Sequence, residues 1–162
     1  MQPTNSDSTH SDSATDPKRE LLRHTLATLA YRGGKAIRDT PDGFADFQAG
    51  EGVRTPGQIL AHIGDLLDWA LIMAKDKHVW HESAAQAWER DVERFFTALA
   101  AFDAYIAGDG PLMAPLDRLF QGPVADALTH VGQIAMMRRL AEAPLKGENY
   151  FKADIKLLTG SY

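Results

Sequence analysis

The chain contains no cysteine among its 162 residues. Disulfide bonds, thiolate zinc sites and a cysteine nucleophile are therefore excluded, and any metal site must be built from histidine, aspartate, glutamate or water. The lack of cysteine is also compatible with a reducing compartment, and we expect a cytoplasmic protein.

Long hydrophobic runs and an excess of basic residues are missing as well. No segment approaches the roughly 20 apolar residues that a membrane-spanning helix needs, and no basic stretch followed by an apolar run suggests a signal sequence. The formal net charge is -5, and no cluster of lysine and arginine is interleaved with aromatic residues. We therefore expect neither a membrane nor a nucleic acid as a partner.

Large apolar residues are absent from residues 1–16, apart from Met1. A segment rich in serine, threonine and aspartate cannot offset the entropy cost of ordering, so we predict a disordered N-terminal tail over residues 1–16. The chain as a whole is 44% hydrophobic, which supports one core of ordinary size. We predict a single domain over residues 17–162.

The first predicted helix begins with a clear local signal. Asp16 has the residue type of an N-cap and Pro17 suits the first helical position. Leucine and alanine then recur at helical spacing. We predict a helix from Pro17 to about Arg32, where Gly33 and Gly34 end it or bend it.

Two capping boxes predict the next two helices. Thr55-Pro56-Gly57-Gln58 precedes an apolar stripe of about five turns, and Ser83-Ala84-Ala85-Gln86 precedes a second stripe. The link over residues 39–54 carries Phe44 and Phe47, which we expect to pack on the core. The two stripes comprise Ile59, Ile63, Leu66, Leu67, Ala70 and Ala74, and then Trp88, Val92, Phe95, Leu99, Phe102 and Ile106.

The last predicted helix opens at Gly122-Pro123 and ends before Pro144, after one helical turn around residues 116–120. No run alternates with the period of two that a strand requires. Four helices of this length joined by modest loops predict an all-α four-helix bundle. Residues 147–162 form a C-terminal extension that we expect to pack back on the bundle, where Tyr150 and Asp154 could cap its mouth.

The candidate site combines residues from two of these helices. Asp126 and His130 stand four positions apart, so on a helix they share a face and can reach the same object. His62 lies beside the apolar stripe of its helix, which is unusual for a titratable group. Two imidazoles and one carboxylate are typical of divalent metal sites with open positions, so the three residues are candidate metal ligands.

The same three residues can also occur in a bundle without a metal. Asp126 would be favoured near a helix N-terminus by the helix dipole, and it can form an ion pair with His130. His62 can be a core histidine that bonds a carbonyl group or Asp65. The spacing alone leaves these alternatives open.

The remaining histidines carry weaker signals. His78 and His81 are three positions apart where the second helix ends, and a solvated turn explains them. His24 is a single histidine of the first helix that could face the bundle interior, and His10 lies in the tail. Trp69, seven residues after His62, could wall a pocket.

Two stretches resemble a known family. HVGQ at residues 130–133, followed by Arg138-Arg139-Leu140, resembles the H-R-G-Q signature on the last helix of the DinB/YfiT-like metalloenzymes. ILAHIGDLLDW at residues 59–69 resembles their second helix, which carries a histidine at the place of His62. The resemblance covers roughly residues 17–142. It departs from the family at Val131, where the signature has arginine, and at Asp126, where the family has a third histidine.

The resemblance implies a four-helix bundle that binds a divalent ion, commonly nickel or zinc, with His62, Asp126 and His130 as ligands. Because Asp126 is a carboxylate, manganese or iron also becomes compatible with the site. Characterised relatives include transferases and an isomerase that use small thiols such as bacillithiol or mycothiol. The implied function is a metal-dependent S-transferase or hydrolase with a small-molecule substrate and a thiol cosubstrate.

The alternative function is a non-catalytic bundle that has lost the metal and serves in binding or dimerisation. The last helix is apolar on more than one side, because Met136 and Leu140 point away from its main apolar arc. A helix that is apolar nearly all round favours burial all round, so we predict a homodimer. The link 39–54 or the C-terminal segment could cover the extra side instead.

Overall fold

The structure, a computed structural model, describes residues 16–158 and is helical throughout its regular elements. Its α-helices are α1 (Pro17–Ile37), α2 (Pro56–Lys75), α3 (Trp88–Ala107), α4 (Leu116–Leu119) and α5 (Ala125–Leu140), with a π-helical segment at Phe120–Val124 and 3-10 turns at Phe44–Asp46 and Tyr150–Lys152. Within these residues no helix is both long and apolar enough to cross a membrane. The predicted tail lies outside the described residues, except that the side chain of Asp16 caps α1.

The helices form the predicted four-helix bundle, in which α4, the π segment and α5 together make the fourth helix. α1 packs against α3 and α5, and α2 packs against the same two helices, so α1 and α2 lie diagonally across the bundle. The link between α1 and α2 is long enough to cross the end of the bundle. The core is formed by fully buried side chains that include Leu26, Leu29, Ile59, Leu67, Phe95, Leu99, Phe102 and Ile106.

α1 does not end or bend at the two glycines, as the sequence suggested, but continues to Ile37. The reason is the close approach of α3. A Cβ atom on Gly33 would lie 2.5 Å from Cζ of Phe95, and one on Gly34 would lie 3.3 Å from Cζ of Phe96. The glycines therefore make room for two aromatic rings, and burial of those rings offsets the cost of about 1 kcal/mol for a glycine inside a helix.

The predicted capping box at residues 83–86 does not start α3, which begins at Trp88. Hydrogen bonds to aspartate side chains of α2 and α3 hold this segment outside the helix. The backbone N–H of Ser83 donates to Asp65 Oδ2 at 2.8 Å, and the backbone N–H of Gln86 donates to Asp91 Oδ2 at 2.8 Å. Both amides are thereby satisfied without a helical turn.

The fourth helix also begins earlier than predicted. It starts at Leu116 and passes through Gly122 and Pro123 inside the π segment before it ends at Leu140. Proline cannot donate the α-helical hydrogen bond, and a local widening to π-helix accommodates the missing donor without ending the helix. The backbone at Val124 has α-helical dihedral angles, so the helix runs into α5 without a new start.

The segments outside the helices pack on the bundle as expected. Phe44 is buried and meets the Trp88 ring edge to face at 5.7 Å, with Phe47 packed beside the core. In the C-terminal segment Leu158 is buried, and Glu148 accepts a 2.6 Å hydrogen bond from the Tyr31 hydroxyl. The predicted packing of the extension thus holds up to residue 158, and residues 159–162 lie outside the described part.

Candidate metal centre

His62 on α2 and the pair Asp126 and His130 on α5 meet where these two helices pack together. One ligand atom from each of the three residues lies within 4.8 Å of the other two, and no other such group occurs among residues 16–158. His62 Nε2 is 3.7 Å from Asp126 Oδ2, and the two imidazole rings are 4.7 Å apart. These three residues therefore form a cluster that could hold a metal ion.

The backbone sets the orientation of the His130 ring. Its Nδ1 atom lies 2.9 Å from the backbone oxygen of Asp126 one turn earlier. Because a carbonyl oxygen only accepts, Nδ1 is the donor in this hydrogen bond, and Nε2 is the ring nitrogen that this bond does not occupy. A ring nitrogen that donates to a carbonyl while the other remains free is the usual arrangement of a metal-binding histidine.

The surroundings of His62 favour its neutral form. Burial lowers the pKa of His62, and the nearby His130 and Arg54 lower it further, although Asp126 and Asp65 act in the opposite direction. Metal binding requires the unprotonated imidazole. His62 is therefore ready to act as a ligand at neutral pH.

The structure does not support two of the alternatives to a metal site, the helix-dipole explanation of Asp126 and a bond between His62 and Asp65. Asp126 does not lie at a helix start, because the fourth helix is continuous from Leu116, so the helix dipole does not explain it. The carboxylate of Asp65 accepts hydrogen bonds from Arg94 and from the backbone of Ser83, and it forms none with His62. The ion pair remains, with 3.2 Å between Asp126 Oδ1 and His130 Nδ1.

An aromatic wall covers one side of the cluster. The Trp80 ring meets the His62 ring edge to face at 5.7 Å and the Trp69 ring at 5.4 Å, and Trp69 in turn meets His78 at 5.0 Å. Trp69 Nε1 is buried and has no hydrogen-bond partner in the described part of the chain. The exposed part of this wall is apolar aromatic surface beside the cluster, which is typical of a ligand-binding surface.

Trp80 reaches His62 because its loop is tied to α2. Asp65, one helical turn after His62, bonds the loop amide of Ser83 and is itself held by Arg94 at 2.7 Å. Burial raises the pKa of Asp65, but hydrogen bonds from Ser83 and Arg94 lower this pKa by more. The pKa of Asp65 therefore lies below its usual value. The ionised carboxylate therefore fixes the loop that carries Trp80.

Two clefts open at the cluster. The Trp69 cleft has a volume of about 410 Å³ and is lined by Trp69, Gln121, Asp126 and Thr129, among others. The Arg54 groove has a volume of about 650 Å³ and is lined by mostly apolar residues together with Arg54, Thr129, His130 and Gln133. Each cleft therefore exposes one candidate ligand, and the two clefts share Thr129.

The other histidines are not part of the candidate ligand group in the described residues. His78 and His81 are exposed in the loop after α2, as predicted, and His24 is exposed instead of facing the interior. His10 lies outside the described residues. The expectation that Trp69 walls a pocket is confirmed.

In the C-terminal segment, Asp154 is not part of the candidate ligand group. Tyr150 packs edge to face against Tyr31, with the Arg32 guanidinium 4.5 Å from its ring centre. Asp154 pairs with Lys156 on the surface.

Sequence reasoning missed Trp80 and Arg54. Trp80 stands inside the HVWH stretch, where the two flanking histidines suggest a solvated turn. A large aromatic residue in an otherwise polar loop was the available signal, because such a side chain gains from covering another surface. Arg54 gave no comparable signal, since it precedes a capping box in a polar link.

No family model, curated protein or solved structure matches this chain.

Proposed function

We propose that this protein is a divalent-metal-dependent enzyme of the DinB-like type that acts on small molecules, with His62, Asp126 and His130 as the metal ligands. The observation that carries the proposal is the convergence of three ligand atoms within 4.8 Å at the meeting point of two clefts. Zinc or nickel follows from the family resemblance, and manganese or iron from the carboxylate of Asp126.

The ligand set fits a divalent ion in the type of its donor atoms. Two imidazoles and one carboxylate would leave coordination positions open for a substrate atom. The bound ion would supply Lewis acidity and lower the pKa of a bound water or thiol. Around it, the chain orients His130 through the Asp126 carbonyl, and Trp80 limits the access of water to His62.

The two clefts favour a transfer reaction over hydrolysis. A hydrolase needs room for one substrate and water, whereas a transferase must hold two small molecules at one reactive centre. Asp126 lines the Trp69 cleft and His130 lines the Arg54 groove, so two molecules could reach the ion from different directions. An S-transferase with a thiol cosubstrate fits this arrangement, and the lack of cysteine means that the thiol would come from outside the chain.

A second candidate function is a binding or dimerisation module without metal. It is favoured by the short separation of Asp126 and His130, which a simple ion pair explains, and by an exposed apolar patch on α5. Met136 and Leu140 are each 54% exposed, so neither the link nor the C-terminal segment covers them fully. In this case the homodimer would form through that patch.

Titration of zinc, nickel and manganese into metal-free protein without a histidine tag tests the proposal. We expect about one equivalent per chain, and loss of that binding in His62→Ala. His24→Ala is the matched control, because His24 is exposed on α1 and outside the cluster. It should bind metal like the unchanged protein.

The alternative function, a binding or dimerisation module without metal, predicts the opposite results in this titration. No stoichiometric binding of any of the three ions, or equal binding by His62→Ala, would reject the metal site. A dimer mass in light scattering that reverts to monomer in Met136→Glu would then support the module.

A further inference from the structure

The Arg54 groove joins a candidate metal ligand to an exposed apolar surface. It runs between the end of the link before α2 and the outer face of α5, and His130 forms part of its lining. Three apolar side chains along the groove are unusually exposed to solvent. Val53 is 45% exposed, and Met136 and Leu140 are each 54% exposed. Solvated apolar surface next to a reactive centre is typical of a binding site for an apolar group.

Arg54 supplies the groove with a single fixed charge. Apart from His130, it is the one ionisable side chain among the residues that line the groove. Arg54 is exposed and forms no salt bridge with any carboxylate of residues 16–158. Its charge also acts on His62, so it lies near the cluster. A guanidinium without a partner beside apolar surface is suited to bind a carboxylate or phosphate group.

We propose that the Arg54 groove binds an organic anion with an apolar body, whose charged group is held by Arg54 and whose reactive end lies at His130. The inference rests on the proposed function and adds a substrate class to it. The alkyl or aryl body would contact Val53, Met136 and Leu140. The space beside Gly132, where a Cβ atom would meet nothing within 4 Å, leaves the groove floor open.

The charge pattern argues against a second copy of the chain as the occupant. In a two-fold symmetric dimer whose axis passes through this groove, each groove would face another groove. The groove lining offers Arg54 no carboxylate as a partner, and two unpaired guanidinium groups would be brought towards each other. A small anion complements the groove, whereas a second copy repeats its charge.

Calorimetric titration of the zinc-loaded protein with two matched probes tests the inference. The probes are 6-mercaptohexanoate and 6-mercaptohexanol, which share a thiol for the metal and an alkyl body but differ in charge. We expect the anionic probe to bind about tenfold more tightly than the neutral one, as a charge-assisted hydrogen bond at a partly solvated site would give. Arg54→Ala should remove this preference and leave the affinity for the neutral probe unchanged.

Controls separate the charge of Arg54 from general electrostatics and from the apolar wall. Arg90→Ala removes an exposed arginine that lies outside the groove, and it should keep the tenfold preference. Met136→Ser should weaken the binding of both probes by a similar factor. An unchanged preference in Arg54→Ala would overturn the inference, and so would a dimer in light scattering that excludes both probes.

The design also distinguishes this inference from the proposed function. If zinc does not bind at all, the proposed function fails, and the groove is then tested with hexanoate and hexanol on the metal-free protein. Binding of hexanoate that depends on Arg54 would support an anion site that lacks a metal. Equal binding by Arg54→Ala would overturn the inference as well.

Discussion

The substitution Asp126→Ala should weaken zinc binding strongly while it barely changes the stability of the metal-free protein. The carboxylate is 46% exposed, and its contact with His130 Nδ1 is 3.2 Å long. Alanine keeps the backbone oxygen that orients the His130 ring. The loss of a partly solvated ion pair costs less than about 1 kcal/mol, which for a chain of this size lowers the melting temperature by at most about 4 °C.

The expected effect on metal affinity is much larger. Removal of an outer partner of a metal ligand costs roughly 10- to 100-fold in affinity. Asp126 would be one of three direct ligands, so we expect at least about a 100-fold loss, equivalent to about 2.7 kcal/mol. Asp126→His would create the three-histidine ligand set of the DinB/YfiT-like metalloenzymes that the sequence resembles, and it should tighten the binding of zinc and nickel relative to manganese.

Calorimetric titration of zinc and manganese into the metal-free forms of the unchanged protein, Asp126→Ala and Asp126→His measures both effects. The melting temperatures of the same three samples report on stability. Equal affinities in all three proteins would refute the assignment of Asp126 as a ligand. A marked loss of stability without a change in affinity would point to the ion pair instead.

Two further predictions concern stability. Gly33→Ala should destabilise the protein by about 1–3 kcal/mol because its Cβ would overlap the buried ring of Phe95, whereas Gly132→Ala, in open space, should stabilise by up to about 1 kcal/mol. Urea unfolding measures both, and equal effects would contradict the packing argument. The folded-state pKa of Asp65 lies below its usual value of 3.8, so the stability it contributes is complete above about pH 4 and is lost as the pH falls further. The difference in unfolding free energy between the unchanged protein and Asp65→Asn should be constant from pH 5 to about pH 7 and shrink below about pH 4, and a difference independent of pH would reject the role of the ionised carboxylate.

Helix starts were predictable only where the bonds that define them are local. The predicted capping box is present at Thr55. The backbone N–H of Gln58 donates to Thr55 Oγ1 at 3.3 Å, and the backbone N–H of Thr55 donates to Gln58 Oε1 at 2.9 Å. The same pattern at Ser83 failed because its amide bonds Asp65 from another helix. A local motif thus decides a helix start unless a distant partner takes its hydrogen bonds.

The predictions of helix boundaries from Gly33 and Pro123 were wrong for a related reason. Gly33 lowers helix propensity, but the ring of Phe95 occupies the space of the missing side chain and favours the helix. Pro123 usually begins or breaks a helix, but here the surrounding bundle keeps the chain helical through a π segment. Local preferences of about 1–3 kcal/mol are outweighed when tertiary packing is better with the helix intact.

The sequence by itself determined the helical periodicity, the absence of thiolate ligands and the shared face of Asp126 and His130, because each follows from composition or from the geometry of one helix. Tertiary structure alone decided that α2 places His62 within 3.7 Å of Asp126, that Asp65 holds the loop with Trp80, and that Arg54 stands at the groove beside His130. These contacts join segments far apart in the chain, and their distances depend on how helices and loops pack, which no local pattern encodes.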